Sequence, residues 1–316
     1  MTIAGPIPST VRSRDELPDD FFTLFLDKTR TYSCALWTHP DDTLEQAQFA
    51  KIDLALDKCD LRPGMTLLDV GCGWGSTMLR AMDTYGVNAI GLTSNRHQHR
   101  YVRNQLVDRL IRGHPYGGVR RQGWEEFDRR PDRIVCIGRL EHLHPQRYPD
   151  FFDFAYRTLP EDGVLLIQTV VAPGPDRPDA HQTEFAAADA VSTPGTIFPG
   201  DRLLPPNGRN PKGVTQHAED AGFMITGIER LGQHYTTTLE CWASALQEHR
   251  DRAIELAGHD TYNAYIGHMT ACADHFRNGR LDVMQFTCTK HTGLHRPAPR
   301  SGTLRDIPDP VLAESA

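Results

Sequence analysis

Apolar and polar positions along the chain follow two different periods. Helical spacing begins near Glu16 and carries Phe21, Phe22, Leu24, Phe25 and Leu26. A second helix is predicted over 43–59, with Asp42 or Thr43 as its N-cap and Leu44, Ala47, Ala50 and Leu54 as its apolar stripe. Pro63-Gly64 then breaks the chain. Beyond it, short apolar runs at 65–70, 87–92, near Val119, 132–137 and 164–170 read as strands. Amphipathic runs at 76–85, 96–112 and 147–159 lie between them and read as helices. Strand–helix alternation of this kind predicts an α/β fold, a parallel sheet with crossover helices.

The rhythm breaks over 171–212, which is rich in proline and glycine. This stretch reads as an insertion, a lid or binding wall with one helix near 182–191. The alternation then resumes with a helix at 212–221, a strand at 223–231, helices at 238–257 and 261–276, and a last strand at 280–290. Residues 1–14 read as a flexible arm, 15–62 as an N-terminal helical cap, 63–290 as the main domain and 291–316 as a disordered tail. The 316 residues suffice for one large core, or for a core with a smaller subdomain.

Composition narrows the function classes. Net charge is −7 and no long Lys/Arg run exists, so nucleic acid is not an expected partner. The short basic stretches at 96–100 and 120–121 read as a solvated helix face and a strand end. Seven cysteines form no C-x-x-C pair and their number is odd, which predicts reduced thiols and a cytoplasmic location. The N-terminus lacks the apolar segment of a signal peptide. No apolar run approaches the roughly 20 residues that cross a bilayer, so a lipid substrate would be met from the water side.

The chemistry concentrates at Leu67-Leu68-Asp69-Val70-Gly71-Cys72-Gly73-Trp74-Gly75. A strand must turn there into a helix, and Gly71, Gly73 and Gly75 permit the turn and a close backbone approach to a ligand. The helix behind them offers free N–H groups. Asp69 can accept from this loop or from an amino group. The G-x-G-x-G spacing and the seventh strand favour adenosylmethionine over a dinucleotide. The second strand ends without a carboxylate, so Thr93 and Gln98 are candidates for the ribose. Trp124 is either an adenine-stacking ring or core, and Glu125 or a neighbouring backbone group is the candidate for the adenine amine. Glu141 follows the fourth strand, at the edge where open α/β sheets bind ligands. His142 and His144 do not share a helix face, so no metal is expected.

Further stretches make the chain resemble one family, the cyclopropane fatty acid synthases, and within it the mycolic acid cyclopropane synthases and methyltransferases. They are Asp19-Asp20-Phe21-Phe22, Thr31-Tyr32-Ser33-Cys34-Ala35, Thr43-Leu44-Glu45-Gln46-Ala47-Gln48, Gly123-Trp124-Glu125, Ile137-Gly138, Glu141-His142, Ile197-Phe198-Pro199-Gly200, His234-Tyr235 and Gln285-Phe286-Thr287-Cys288. The resemblance spans about residues 17–290. It implies a class I S-adenosylmethionine-dependent methyltransferase, a Rossmann-like seven-stranded sheet with an added helical lid. It implies that Tyr32 and Ser33 close over the cofactor, and that the Gly71–Gly75 loop, Thr93, Gln98, Trp124, Glu125 and Ile137 contact it. The reactive centre maps to Glu141, Tyr235 and the backbone amides of Cys34 and Cys272, which with a histidine cradle a bicarbonate base.

The chain departs from the family at that histidine, where it has Gln168. Glutamine can hydrogen-bond an ion but cannot carry a positive charge. The departure predicts weaker dependence on bicarbonate, or methyl branching in place of ring closure. Arg139-Leu140 stands where the family has a small residue and an aromatic; Arg139 either supplies charge beside Glu141 or faces solvent. The implied substrate is an unsaturated lipid acyl chain, on an acyl carrier protein or at a membrane surface. Trp37, Tyr235 and the insertion's aromatic residues are candidates for stabilising a carbocation. Two readings remain beside this one: a methyltransferase for a small terpenoid or polyketide, and a cofactor-binding scaffold without turnover.

Overall fold

A computed structural model describes residues 11–172 and 211–290. Most of the arm, the helix expected at 182–191, the Ile197–Gly200 stretch and the tail lie outside the described residues. Seven strands form one sheet: β1 (Thr66–Val70), β2 (Asn88–Leu92), β3 (Gly117–Arg120), β4 (Arg133–Ile137), β5 (Val164–Val171), β6 (Phe223–Arg230) and β7 (Asp282–Lys290), in the order β3-β2-β1-β4-β5-β7-β6. The first five strands are parallel, as the alternation requires. The expectation fails at β7, which runs antiparallel between β5 and β6. Period alone carries no strand direction, and here the chain returns through a helical hairpin.

Helices cover both faces. They are α1 (Asp19–Phe22), α2 (Leu44–Asp57), α3 (Ser76–Tyr85), α4 (Arg96–Ile111), α5 (Tyr148–Thr158), α6 (Pro211–Asp220), α7 (Gly232–Glu248), α8 (Arg250–Ala257) and α9 (His259–Arg277). Alternate residues of β1 explain the two-sided burial: Leu67 packs with Ile52 and Leu56 of α2 and Ala81 of α3, whereas Leu68 packs with Phe151 and Phe152 of α5. Strands buried on both faces read as continuous apolar runs, and all eight residues of β5 are buried.

Three predicted helices differ from what forms. The run from Glu16 yields only a 3-10 turn at Arg14–Glu16 and four helical residues at Asp19–Phe22, because Pro18 stops the first and precedes the second. Phe21, Phe22, Phe25 and Leu26 instead join a core with α7–α9, so burial rather than helical period placed those aromatics. The helix at 238–257 begins earlier, at Gly232, and breaks at His249, whose Nδ1 hydrogen-bonds the Ala245 carbonyl group at 2.9 Å.

The third difference is the face of α2. Thr43 caps it as foreseen, accepting from the Gln46 amide at 3.3 Å while Gln46 Oε1 accepts from the Thr43 amide at 2.8 Å. Its buried face, however, holds Gln48, Lys51, Ile52, Ala55 and Leu56 together with Ala47, while Leu44, Ala50 and Leu54 are only half-buried. A stripe drawn through apolar residues alone misses a face that buries a lysine and a glutamine.

Candidate active site

At the end of β1 the backbone turns three times into the left-handed region, at Gly71 (φ +79°), Gly73 (+56°) and Gly75 (+85°). The amides of Gly71 and Cys72 both donate to the Leu92 carbonyl, at 3.0 and 2.9 Å, and fasten the turn to β2. Gly75 then caps α3. A Cβ on Gly75 would strike Val102, so that glycine serves packing. A Cβ on Gly73 would meet no protein atom within 4 Å, so that glycine keeps open space clear.

Asp69, below the loop, is 2% exposed, and its Oδ2 has no partner among the described residues. Burial pushes its carboxyl up to about 7, opposed by the charge of Lys51 and a hydrogen bond from the Met78 amide. A cationic ligand with N–H donors would supply what this orphaned oxygen lacks. The pocket residues therefore fit adenosylmethionine, whose methionine end is cationic and whose binding needs an open glycine turn.

The other cofactor candidates stand along the same edge of the sheet, beyond the C-terminal ends of β2, β3 and β4. Thr93 Oγ1 donates to Gln98 Oε1 at 2.8 Å, both buried, and Asn95 caps α4 between them. Trp124 is packed in the core against Phe151 and Phe154, with its indole Nε1 buried and without a partner among the described residues. Glu125 is paired with Arg147 at 3.2 Å. Ile137, half-buried, ends β4. The stem of Arg139 lies across Gly71, whose added Cβ would come within 2.7 Å of it. Arg139 thus faces the glycine turn, a placement between the two alternatives drawn from its position in the chain.

Beside the loop the fold forms a small, half-open recess lined by Tyr32, Ser33, Cys34, Gly138, Glu141, Gln168, Thr169, Val170, Tyr235 and Val283. The recess gathers Tyr32, Ser33, Cys34, Glu141, Gln168 and Tyr235 from four distant stretches of sequence. Trp37 stays outside it, its indole donating to Thr238 at 3.1 Å. Cys272 also stands behind the wall, on α9, with its Sγ 3.3 Å from His268 Nε2. Its thiol and that of Cys34 remain within electrostatic reach of the Tyr235 phenol. Burial raises all three; Cys272 reaches about 12, so neither thiol is a thiolate near neutrality.

Glu141 sits on a single 3-10 turn after β4, 4% exposed, and accepts a hydrogen bond from Thr169 Oγ1 at 3.0 Å. Leu140, fully buried, anchors that turn. Gly138 (φ +68°) brings it close to Ser33: a Cβ there would lie 3.6 Å from Ser33 Cβ and 3.9 Å from Glu141 Oε1. Among the described residues Glu141 is the one carboxylate of the lining.

The sequence reading missed the support behind this recess. Gln48 Nε2 donates to the Ser33 carbonyl at 2.9 Å and Lys51 Nζ to Ser33 Oγ at 3.0 Å, so one turn of α2 clamps the segment that carries Tyr32, Ser33 and Cys34. Lys51 is fully buried; desolvation pulls its ammonium down to about 8, against the pull of Cys34, Asp27 and Asp69. Two polar residues three apart on a buried helix face were the available signal. Thr169 carried no signal, since only the fold of the turn after β4 brings Glu141 to it.

A doubly wound sheet with a glycine turn, an orphaned buried aspartate beneath it and a recess beyond the parallel strand ends defines the class: a class I S-adenosylmethionine-dependent methyltransferase. Coclaurine N-methyltransferase, 18% identical, shares this fold with a TM-score of 0.69. The chain belongs to the mycolic acid cyclopropane synthetase family, whose profile matches residues 8–286. It is 44% identical over 290 residues to cyclopropane mycolic acid synthase 1 of Mycobacterium tuberculosis, covering 89% of this chain and 97% of that one. Methoxy mycolic acid synthase MmaA3 of the same organism is 43% identical over 284 residues, covering 89% and 94%. The crystal structure of mycolic acid cyclopropane synthase CmaA1 with SAH and CTAB superposes with a TM-score of 0.80 at 43% identity, covering 91% of this chain and 99% of that one.

Proposed function

We propose that this chain transfers a methyl group from S-adenosylmethionine to the carbon–carbon double bond of an unsaturated lipid acyl chain. The observation that carries the reading is the recess itself, with the buried Glu141 carboxylate set among hydroxyl, amide and aromatic groups beside the glycine turn. Membership of the family supports the lipid class. Among the described residues no helix is long and apolar enough to cross a membrane. In this reading the acyl chain comes on a carrier protein or from a membrane surface.

Bound adenosylmethionine supplies a methyl group on a sulfonium. Asp69, Gly71, Gly73 and Gly75 hold its methionine end; Thr93, Gln98 and the Trp124–Glu125 turn hold its nucleoside; Ile137 flanks it. Residues 15–62 act as the cap, closing Tyr32 and Ser33 over the cofactor. With adenosylmethionine bound, the alkene π pair would form the new carbon–carbon bond as the carbon–sulfur bond breaks, leaving a cation on the acyl chain. The Tyr235 ring faces that charge, and Val170 and Val283 keep water away. Glu141, held by Thr169, takes the departing proton or anchors the base that takes it. Loss from the new methyl closes a cyclopropane, and loss from a neighbouring carbon leaves a methyl-branched alkene. Without the positive charge a histidine could bring, Gln168 lowers the dependence on bicarbonate or favours branching over ring closure.

The test is to incubate the protein with adenosylmethionine and a monounsaturated acyl substrate, then follow S-adenosylhomocysteine release and the NMR spectrum of the product. A cyclopropane or methyl-branched chain supports the reading. Methylation confined to oxygen or nitrogen acceptors overturns it, and a strong rate increase on adding bicarbonate to stripped protein overturns the role given to Gln168.

A further inference from the structure

β5, β7 and β6 stand side by side, and their register sets Gln168 opposite Gln285 and Gln285 opposite Glu229. Directly opposed residues share a sheet face, so three polar side chains form one row across three strands. Lys58, which ends α2, reaches the far end of that row. Its Nζ donates to Gln285 Oε1 at 2.6 Å and pairs with the Glu229 carboxylate. Gln285 Nε2 in turn donates to Gln168 Oε1 at 3.0 Å. Gln285 is 0% exposed and Gln168 2%, and Gln168 lines the recess with Glu141 and Tyr235.

A primary amide has a donor end and an acceptor end of nearly equal shape. An ammonium carries donors alone, so the end of Gln285 that meets Lys58 must be its oxygen. The Gln285 N–H pair is then turned toward Gln168, whose oxygen must receive it. What remains for the recess is the N–H pair of Gln168. We propose that Lys58 is a positioning residue: acting through Gln285, it fixes the Gln168 amide with its N–H donors toward the reacting groups. A histidine at 168 would choose its donor by tautomer and protonation. A glutamine has no such choice, and its orientation comes from its partner. The reversed amide would turn a carbonyl oxygen into the recess that the Glu141 carboxylate also lines. The inference rests on the recess being the reaction site.

Three variants separate the possibilities. Lys58→Arg keeps an obligate donor, Lys58→Met removes it, and Gln285→Glu keeps the Lys58 contact but presents oxygen to Gln168, which inverts the row. The expected kcat is unchanged within about twofold for Lys58→Arg, lower by about tenfold for Lys58→Met, and lowest for Gln285→Glu, with KM for the acyl substrate moving less than about threefold. Neutron diffraction from deuterium-exchanged crystals reads the amide directly: deuterons on the recess side of Gln168 in the unaltered protein, oxygen there in Gln285→Glu. Oxygen facing the recess in the unaltered protein, or equal kcat in all three variants, overturns the proposal. If the unaltered protein methylates no alkene, the functional reading fails, while the diffraction result still judges the row.

Discussion

The glycine turn and the recess beside it are neighbours built by opposite means. The turn is made by backbone: three left-handed glycines within five residues, and an aspartate two residues before them. The recess is made by side chains from separate stretches, three of them held by supporting groups: Lys51 and Gln48 behind Ser33, Thr169 beside Glu141, Gln285 beside Gln168. A local backbone site tolerates change in its surroundings. An assembled site depends on every strand and helix that delivers a member.

Substitutions should sort by that division. The largest effect is expected at Glu141→Gln, which keeps shape but loses the carboxylate: turnover falls by about 10²–10⁴-fold with adenosylmethionine affinity nearly unchanged, read by single-turnover release and calorimetry. Near-normal turnover would remove Glu141 from the reaction. Gly73→Ala should act the other way, weakening cofactor binding by more than about tenfold, while denaturant unfolding shifts by only about 1–2 kcal/mol of backbone strain. An unaltered Kd there would mean the cleared space holds no ligand.

Thr169→Val removes the hydroxyl that holds Glu141. A kcat loss of about tenfold is expected at constant cofactor affinity, since one hydrogen bond to a charged group is worth about 1.5–3 kcal/mol at most. The smallest effect is a pH dependence. Burial leaves the Asp69 carboxyl protonated below about 7, and a cationic ligand favours its ionised form. Adenosylmethionine affinity should therefore rise as pH rises through about 7 and flatten above it, with proton release measurable by calorimetry in two buffers. In Asp69→Asn the profile should be flat. In the free protein the sign is reversed. The folded state binds the extra proton between 3.8 and about 7, so the stability that Asp69 contributes is lost as pH rises across that window.

Much of the fold could be read along the chain. The helix at Ser76–Tyr85 forms where its periodicity placed it, and β1, β2, β4 and β5 differ from expectation by a residue or two. Misreadings arose where burial and period disagree. Phe21, Phe22 and Phe25 are spaced like a long helix, but the helix stops at Phe22 and the three rings are held in a buried aromatic cluster with Tyr265 and Trp242. Gln48 and Lys51 look like a solvent face and are buried. The seventh strand was visible, but its antiparallel direction was not, because alternation of apolar residues is the same in both directions.

The sequence by itself determined the glycine turn, the two-sided burial of the central strands and the kinds of chemical group available, because each follows from backbone freedom or side-chain type within a short stretch. Tertiary structure alone decided which groups meet and which way they point. Register set Gln168 against Gln285, the turn after β4 set Glu141 against Thr169, and a buried helix face put Lys51 under Ser33. Hydrogen bonds form across a few ångströms between residues that can be a hundred or more positions apart, and separation along the chain does not record that distance.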